Sequence, residues 1–211
     1  ETAFLLMAAD GGLYGAFINS VGRILGGYAI GSLLGVALGM LFGISRQARA
    51  VGMPLVHFLY PVPKLALLPL FILWFGIGET PKLILIAMGV FFPVLINTYS
   101  GVTRMPVIYT KVSVICQLTD RQYIRRVVLP AAMPSIFTGL RLGAGISLIL
   151  LVAAEMLAAG KGIGALVLHY PNLTLHHRPI ACAVLPALTG LVFLPVLHWP
   201  ENSYLPRVQE P

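Results

Sequence analysis

Charge is what this sequence has least of. Only 10% of its 211 residues are Asp, Glu, Lys or Arg, whereas a soluble domain carries roughly 25% and needs them at its surface. That scarcity excludes an ordinary water-soluble domain. With 58% apolar residues and a mean hydropathy of +0.89, the chain is better counted in membrane spans of about 20 apolar residues each. Cysteine is almost missing too: Cys116 and Cys182 are the two present. They offer neither a disulfide framework nor a metal site, and the expectation is that both are small apolar fillers on opposite sides of a membrane, unpaired.

Reactive constellations are missing as well. There is no Ser/His/Asp set, no carboxylate pair and no phosphate-cradling glycine loop. His169, His176 and His177 have no Cys or carboxylate at ligand spacing and are expected in a solvated outer loop, so no metal is assigned. Catalysis by this chain is not expected, and without G-x-x-x-x-G-K-[ST] any ATP has to be handled elsewhere. The net charge of +7 is scattered among apolar runs, which argues against nucleic acid and for topology signals and contacts with anionic lipid. The start at Glu1 shows no n-region, h-region or cleavage site; the expectation is a trimmed sequence or an upstream segment rather than a signal peptide.

What is present is a series of long apolar runs, read as one transmembrane domain over residues 1–211. Spans are expected at about 18–44, 53–77, 83–100, 131–159 and 180–199. In the first, Gly27, Gly31, Gly35 and Gly39 repeat every fourth residue, a spacing that lets another helix approach closely in lipid. The second contains Pro54, Pro61, Pro63 and Pro69 with Lys64 near its middle. Each proline removes a backbone donor and clashes one turn back, so this span should be kinked or broken. Irregular backbone at membrane depth is tolerated where it is buried in protein or lines a wet cavity.

Lys and Arg placement sets the direction. One face collects Arg46, Arg49, Arg104, Lys111, Arg121, Arg125, Arg126 and Arg207; the other holds Lys82, Lys161 and Arg178. Eight against three makes the 104–130 loop cytoplasmic, puts the first residues outside and the last inside.

That loop reads KVSVICQLTDRQYIRRVVLPAAMP from Lys111 to Pro134. Val112, Ile115, Cys116 and Thr119 have helical spacing, Arg121, Arg125 and Arg126 gather before the apolar run resumes, and Pro130 suits a first helical turn. A helix across the cytoplasmic mouth is either a docking element for a partner or an interfacial helix held by anionic headgroups. The residues alone leave both open.

The blocks YPVPKLALLPLFILWFGIGETPKLILIAMGVFFPVLINTYSGV and LPAAMPSIFTGLRLGAGISLILLVAAEMLAAGKGIGALV resemble permease subunits of ABC importers, specifically the nitrate/sulfonate/taurine/bicarbonate group. The likeness extends over roughly residues 21–167. It implies an all-α, type I importer transmembrane domain in a bacterial inner membrane, with five visible spans of a six-span fold. It also implies ABC ATPase subunits carrying ATP and Mg, an extracytoplasmic binding protein and a second permease copy, most simply a homodimer; no cofactor would be bound here. In such permeases a cytoplasmic E-A-A-x3-G-x9-I-x-L-P loop docks on the ATPase. Counted back from Leu129-Pro130, Val127 takes the Ile place, Gln117 the Gly place, and Lys111, Val112 and Ser113 the E-A-A places. The resemblance thus implies coupling through Val112, Ser113, Cys116, Gln117, Leu118, Thr119, Asp120, Arg121, Arg125 and Arg126. Lys111 reverses a charge of the pattern, and Gln117 would adopt a glycine turn only with strain.

Ionisable groups inside a span are functional candidates by default. Lys64, about 11 residues or roughly 16 Å into its span, either attracts an anionic solute such as nitrate, a sulfonate or bicarbonate, or caps the carbonyls of a broken helix; the cap is the preferred reading. Glu155 either shapes a gate or, as preferred here, pairs with a neighbouring backbone or cation. Tyr60 and Asn97 are further candidates for lining a pathway, and Arg141 would snorkel to the cytoplasmic face. The rival function is a secondary transporter or channel that needs no ATPase.

Overall fold

The computed structural model describes residues 12–157, all of whose regular structure is helical. Helix α1 spans Gly12–Ile44, α2 Arg46–Leu59, α3 Leu68–Phe75, α4 Glu79–Thr103, α5 Val107–Ile115, α6 Asp120–Tyr123 and α7 Leu129–Leu157. A 3-10 turn at Lys64–Leu67 precedes α3, and a π turn at Ile124–Val128 joins α6 to α7. Three stretches in this region are long and apolar enough to cross a membrane: Phe17–Ile44, Glu79–Thr103 and Asp120–Leu157. The expected span at 180–199, Cys182 and the three histidines lie outside the described residues.

The second apolar run is not one straight helix from Met53. Helix α2 begins already at Arg46, capped by the Ser45 hydroxyl accepting from the Ala48 amide, and the chain then turns by 86° between Arg46–Leu59 and Lys64–Phe75. The four prolines act differently. Pro61 and Pro63 stand in the break, Pro69 in the first turn of α3 where no donor is missed, and Pro54 is absorbed inside α2. Arg49, counted as a topology signal, also reaches back to cap α1, donating from Nε to the Phe42 carbonyl at 3.0 Å and from Nη2 to that of Gly43.

Helix α4 is the central element, with α1 on one side and α7 on the other. The α1 contact is built on the glycine row. A Cβ on Gly31 would stand 2.4 Å from the Ala87 carbonyl oxygen, on Gly35 2.9 Å from that of Phe91, and on Gly39 2.7 Å from that of Leu95. Backbone meets backbone there, and in lipid, where burial gives no hydrophobic gain, such close van der Waals contact is what binds helices. On the other side Gly139 and Gly143 of α7 admit Val94 and Val90 of α4 in the same way. A core of Ile24, Tyr28, Ile86, Val90, Val94 and Ala144 closes around the three helices, and the Tyr28 hydroxyl donates to the Leu140 carbonyl at 3.1 Å.

Candidate functional site

Three features stand out: a turn at one end of the bundle, a cavity beside the broken helix and an ion cluster near the other end. At the basic end, α5 stops at Ile115 instead of continuing to Thr119, and the reason is Gln117. Its φ of +50° makes it the one non-glycine with positive φ among the described residues. The amide of Gln117 donates to the Val114 carbonyl and that of Leu118 to the Ser113 carbonyl, the paired closure of a Schellman motif, whose left-handed position glycine usually fills. Gln117 does adopt the glycine conformation here. Thr119 restarts the chain as the cap of α6, in a reciprocal capping box with Gln122; Asp120 occupies the first turn, where a carboxylate complements the helix dipole.

The resulting helix–turn–helix presents Val112, Val114 and Ile115 to the outside. Cys116 is exposed at the turn, not the apolar filler expected from its type. Ser113 faces inward and bonds the Thr110 carbonyl at 2.7 Å, and the Thr110 and Tyr123 hydroxyls join α5 to α6 at 3.1 Å. Arg121, Gln122, Arg125 and Arg126 line a cleft of about 320 Å³; no carboxylate pairs with its three guanidinium groups among the described residues. The unit is anchored in the membrane helices. Val102 of α4, Val128 of the π turn and Ala132 and Ile136 of α7 bury together, with Tyr123 and Met105 against them.

Inside the spans, the break after α2 opens on a cavity of about 430 Å³. Tyr60 and Lys64 come from the break, Gly89 and Pro93 from the middle of α4, and Ile146 and Leu150 from α7. The Lys64 ammonium donates to the Tyr60 carbonyl, the terminal cap that the broken helix calls for. It also lies 4.8 Å from the Tyr60 ring centre and 5.0 Å from that of Phe92. Asn97 is not on the cavity wall: its amide donates to the Pro93 carbonyl at 2.8 Å, and its Cβ stands where α7 approaches at Gly139.

Glu155 is buried near the opposite end of the bundle from the turn, where Arg23 Nη1 and the Ser20 hydroxyl each donate to Glu155 Oε1 at 2.6 Å. Arg23 turns its other edge to Glu79, with Nη2 at 2.6 Å from Oε1 and Nε on Oε2. One guanidinium therefore joins α1, the first turn of α4 and the last turns of α7, while Lys82 lies buried nearby. Arg23 carries this arrangement, yet in the sequence it reads only as an interruption of the first span. The available signal was its depth in an apolar run together with two equally isolated glutamates.

With this geometry in hand, the comparisons decide the family. Residues 31–197 match the model of the binding-protein-dependent transport system inner membrane component. The chain belongs to this family. A protein of Methanocaldococcus jannaschii named as an ABC transporter permease is 38% identical over 92% of this chain and 73% of its own length. A Bacillus subtilis protein named as an aliphatic sulfonates transport permease is 35% identical over 95% and 75%. The taurine transport system permease of Escherichia coli is 37% identical, covering 75% of this chain and 58% of its own. Other relatives are named for bicarbonate and nitrate. A solved amino acid ABC transporter superposes with a TM-score of 0.73 over 95% of this chain and 97% of that one, at 16% identity, which establishes the shared type I importer fold. This permease is thus a multi-pass inner-membrane protein of the sulfonate, taurine, bicarbonate and nitrate group.

Proposed function

We propose that the chain is the pathway-forming subunit of an ATP-driven importer for a small anionic solute, working as a homodimer beneath an extracytoplasmic binding protein and coupled to separate ATPase subunits through residues 107–126. The observation that carries the coupling is the rooted turn: an exposed apolar tip at Val112, Val114 and Ile115, closed by a left-handed Gln117 and seated on α4 and α7 through Val102, Val128 and Ile136. A push on such a unit moves two membrane helices, because packed cores shift between discrete arrangements rather than deforming gradually. ATP and Mg stay on the partner, and each ligand biases a two-state bundle by its differential affinity.

Co-purification from native membranes with identification of subunits tests the assembly: an ATP-binding subunit is expected, and its absence sinks the importer reading. For the turn, replacing both Arg125 and Arg126 by Glu is expected to weaken ATPase pull-down at least about tenfold, because two attractive charges become repulsive at the docking surface. The spans should remain folded by size-exclusion chromatography. Undiminished pull-down of the ATPase counts against docking through this loop.

A further inference from the structure

The cleft at the foot of α7 is lined by hydrogen-bond donors. Arg121, Arg125 and Arg126 supply three guanidinium groups, each rich in N–H donors and without an acceptor. Gln122 completes the wall. Its side-chain oxygen already accepts from the Thr119 amide at 3.0 Å, which leaves its N–H2 group as a donor. None of the three arginines has an ion-pair partner among the described residues, although Asp120 is next in the chain. The π turn explains how they meet. In an α-helix of 3.6 residues per turn, Arg126 would stand about 140° round the axis from Arg121, outside a cleft that Arg121 and Arg125 share. Here the Leu129 amide donates to the Ile124 carbonyl, five residues back, and the wider winding carries Arg126 round to the other two. Like charges gathered on one side of a helix repel each other, and π turns are found mostly where a function keeps them. The convergence calls for an anion.

Its place along the bundle narrows the anion. Helix α7 has 29 residues, about 44 Å at 1.5 Å per residue, which matches a bilayer with both headgroup layers, about 40–45 Å. One end of α7 carries the polar cluster of Arg23, Glu79 and Glu155; Arg125 and Arg126 stand about one turn before the other, at the height of headgroup phosphates. We propose that the cleft is a phosphate-binding site, filled by the headgroup of an anionic phospholipid. A carboxylate presents one planar edge, which a single guanidinium satisfies. A phosphate offers oxygens on several sides, so three guanidinium forks can engage it together. The cleft volume of about 320 Å³ lies at the lower end of the range for small-ligand sites, about 300–1,000 Å³. Each guanidinium keeps donors on its far edge, so a bound headgroup and a docked ATPase do not exclude each other. The site goes beyond the importer reading and does not rest on it.

The test uses the full-length permease, purified from native membrane and stripped of lipid by detergent exchange, and equilibrium binding of radiolabelled short-chain phosphatidylglycerol. Phosphatidylcholine, whose phosphate is offset by its choline, should bind at least about tenfold more weakly. Each cation near an anionic lipid is worth about fivefold in affinity. Arg126→Gln should therefore weaken phosphatidylglycerol binding about fivefold, and Arg121→Gln, Arg125→Gln and Arg126→Gln together about a hundredfold. Arg104→Gln removes an exposed cation that does not line the cleft and should leave binding unchanged. Inorganic phosphate should compete only at about a hundredfold excess, because it brings no acyl chains. Competition at equal concentration keeps the phosphate site and makes its occupant a soluble one. Equal affinity for the two lipids, full binding in the triple variant, or the same loss in Arg104→Gln as in Arg126→Gln overturns the site. ATPase pull-down by the triple variant separates this site from docking. Lost pull-down with full lipid binding leaves docking alone standing, whereas lost lipid binding with full pull-down keeps the site and removes the arginines from docking.

Discussion

Arg23 and Gln117 are the residues whose surroundings matter most, and their legibility differs. Gln117 is found by counting back from Leu129-Pro130, and its φ of +50° follows from the turn that the chain must make there. Arg23 has no such frame. Its partners Glu79 and Glu155 are 56 and 132 positions away, so no window of sequence contains them. The buried member of the pair is the sensitive one: Glu155 has a fully buried side chain, while that of Glu79 is 59% exposed. Glu155→Gln is expected to cost about 1–3 kcal/mol, the range for losing a buried charge-assisted bond, because Arg23 keeps Glu79 as its second partner. Glu79→Gln should cost clearly less, because water can take over at its exposed face. Thermal unfolding of the detergent-solubilised protein measures both, and equal losses would contradict the ranking.

Among the elements, helix α1 shows how a one-dimensional pattern becomes a contact. Gly27, Gly31, Gly35 and Gly39 announce a close-packing face in the sequence, and the structure supplies its partner, α4. Gly31→Ala should destabilise the helix pair by about 1–3 kcal/mol, since the new Cβ meets the Ala87 carbonyl oxygen at 2.4 Å and backbone has little freedom to yield. Gly22 faces open space within 4 Å, so Gly22→Ala should be neutral or slightly stabilising. Comparing the melting temperatures of the two variants decides the matter. The proline-rich run was legible only in outline. Four prolines promise a broken span, but which of them breaks it depends on where each falls in a helix: Pro69 in a first turn costs nothing, whereas Pro61 and Pro63 accompany an 86° bend. The start of α7 was less legible still. The helical run reaches back through the π turn to Asp120, so Arg121, Arg125 and Arg126 belong to the foot of a membrane helix rather than to a separate loop.

For the whole molecule, packing sets apart the two ends between which charge counting chooses. The turn at Gln117 lies on the face rich in Lys and Arg, and the Arg23 cluster gathers near the other end of the bundle. Cys116, exposed at the turn, makes this testable: with Cys182→Ala as background, a membrane-impermeant maleimide should label inside-out vesicles and leave intact cells unlabelled. Labelling of intact cells would invert the topology. The sequence by itself determined that the chain is a membrane protein, which permease family it resembles and where its basic turn lies. Those properties are carried by composition, by charge asymmetry and by residues close together in the chain. The tertiary structure alone decided that Lys64 caps Tyr60 beside a cavity, that Asn97 stays off its wall, and that Arg23 joins three helices. Each of these depends on side chains brought together by helix packing across long sequence separations, and helix packing in lipid is set by the three-dimensional fit of small residues, which no local pattern records.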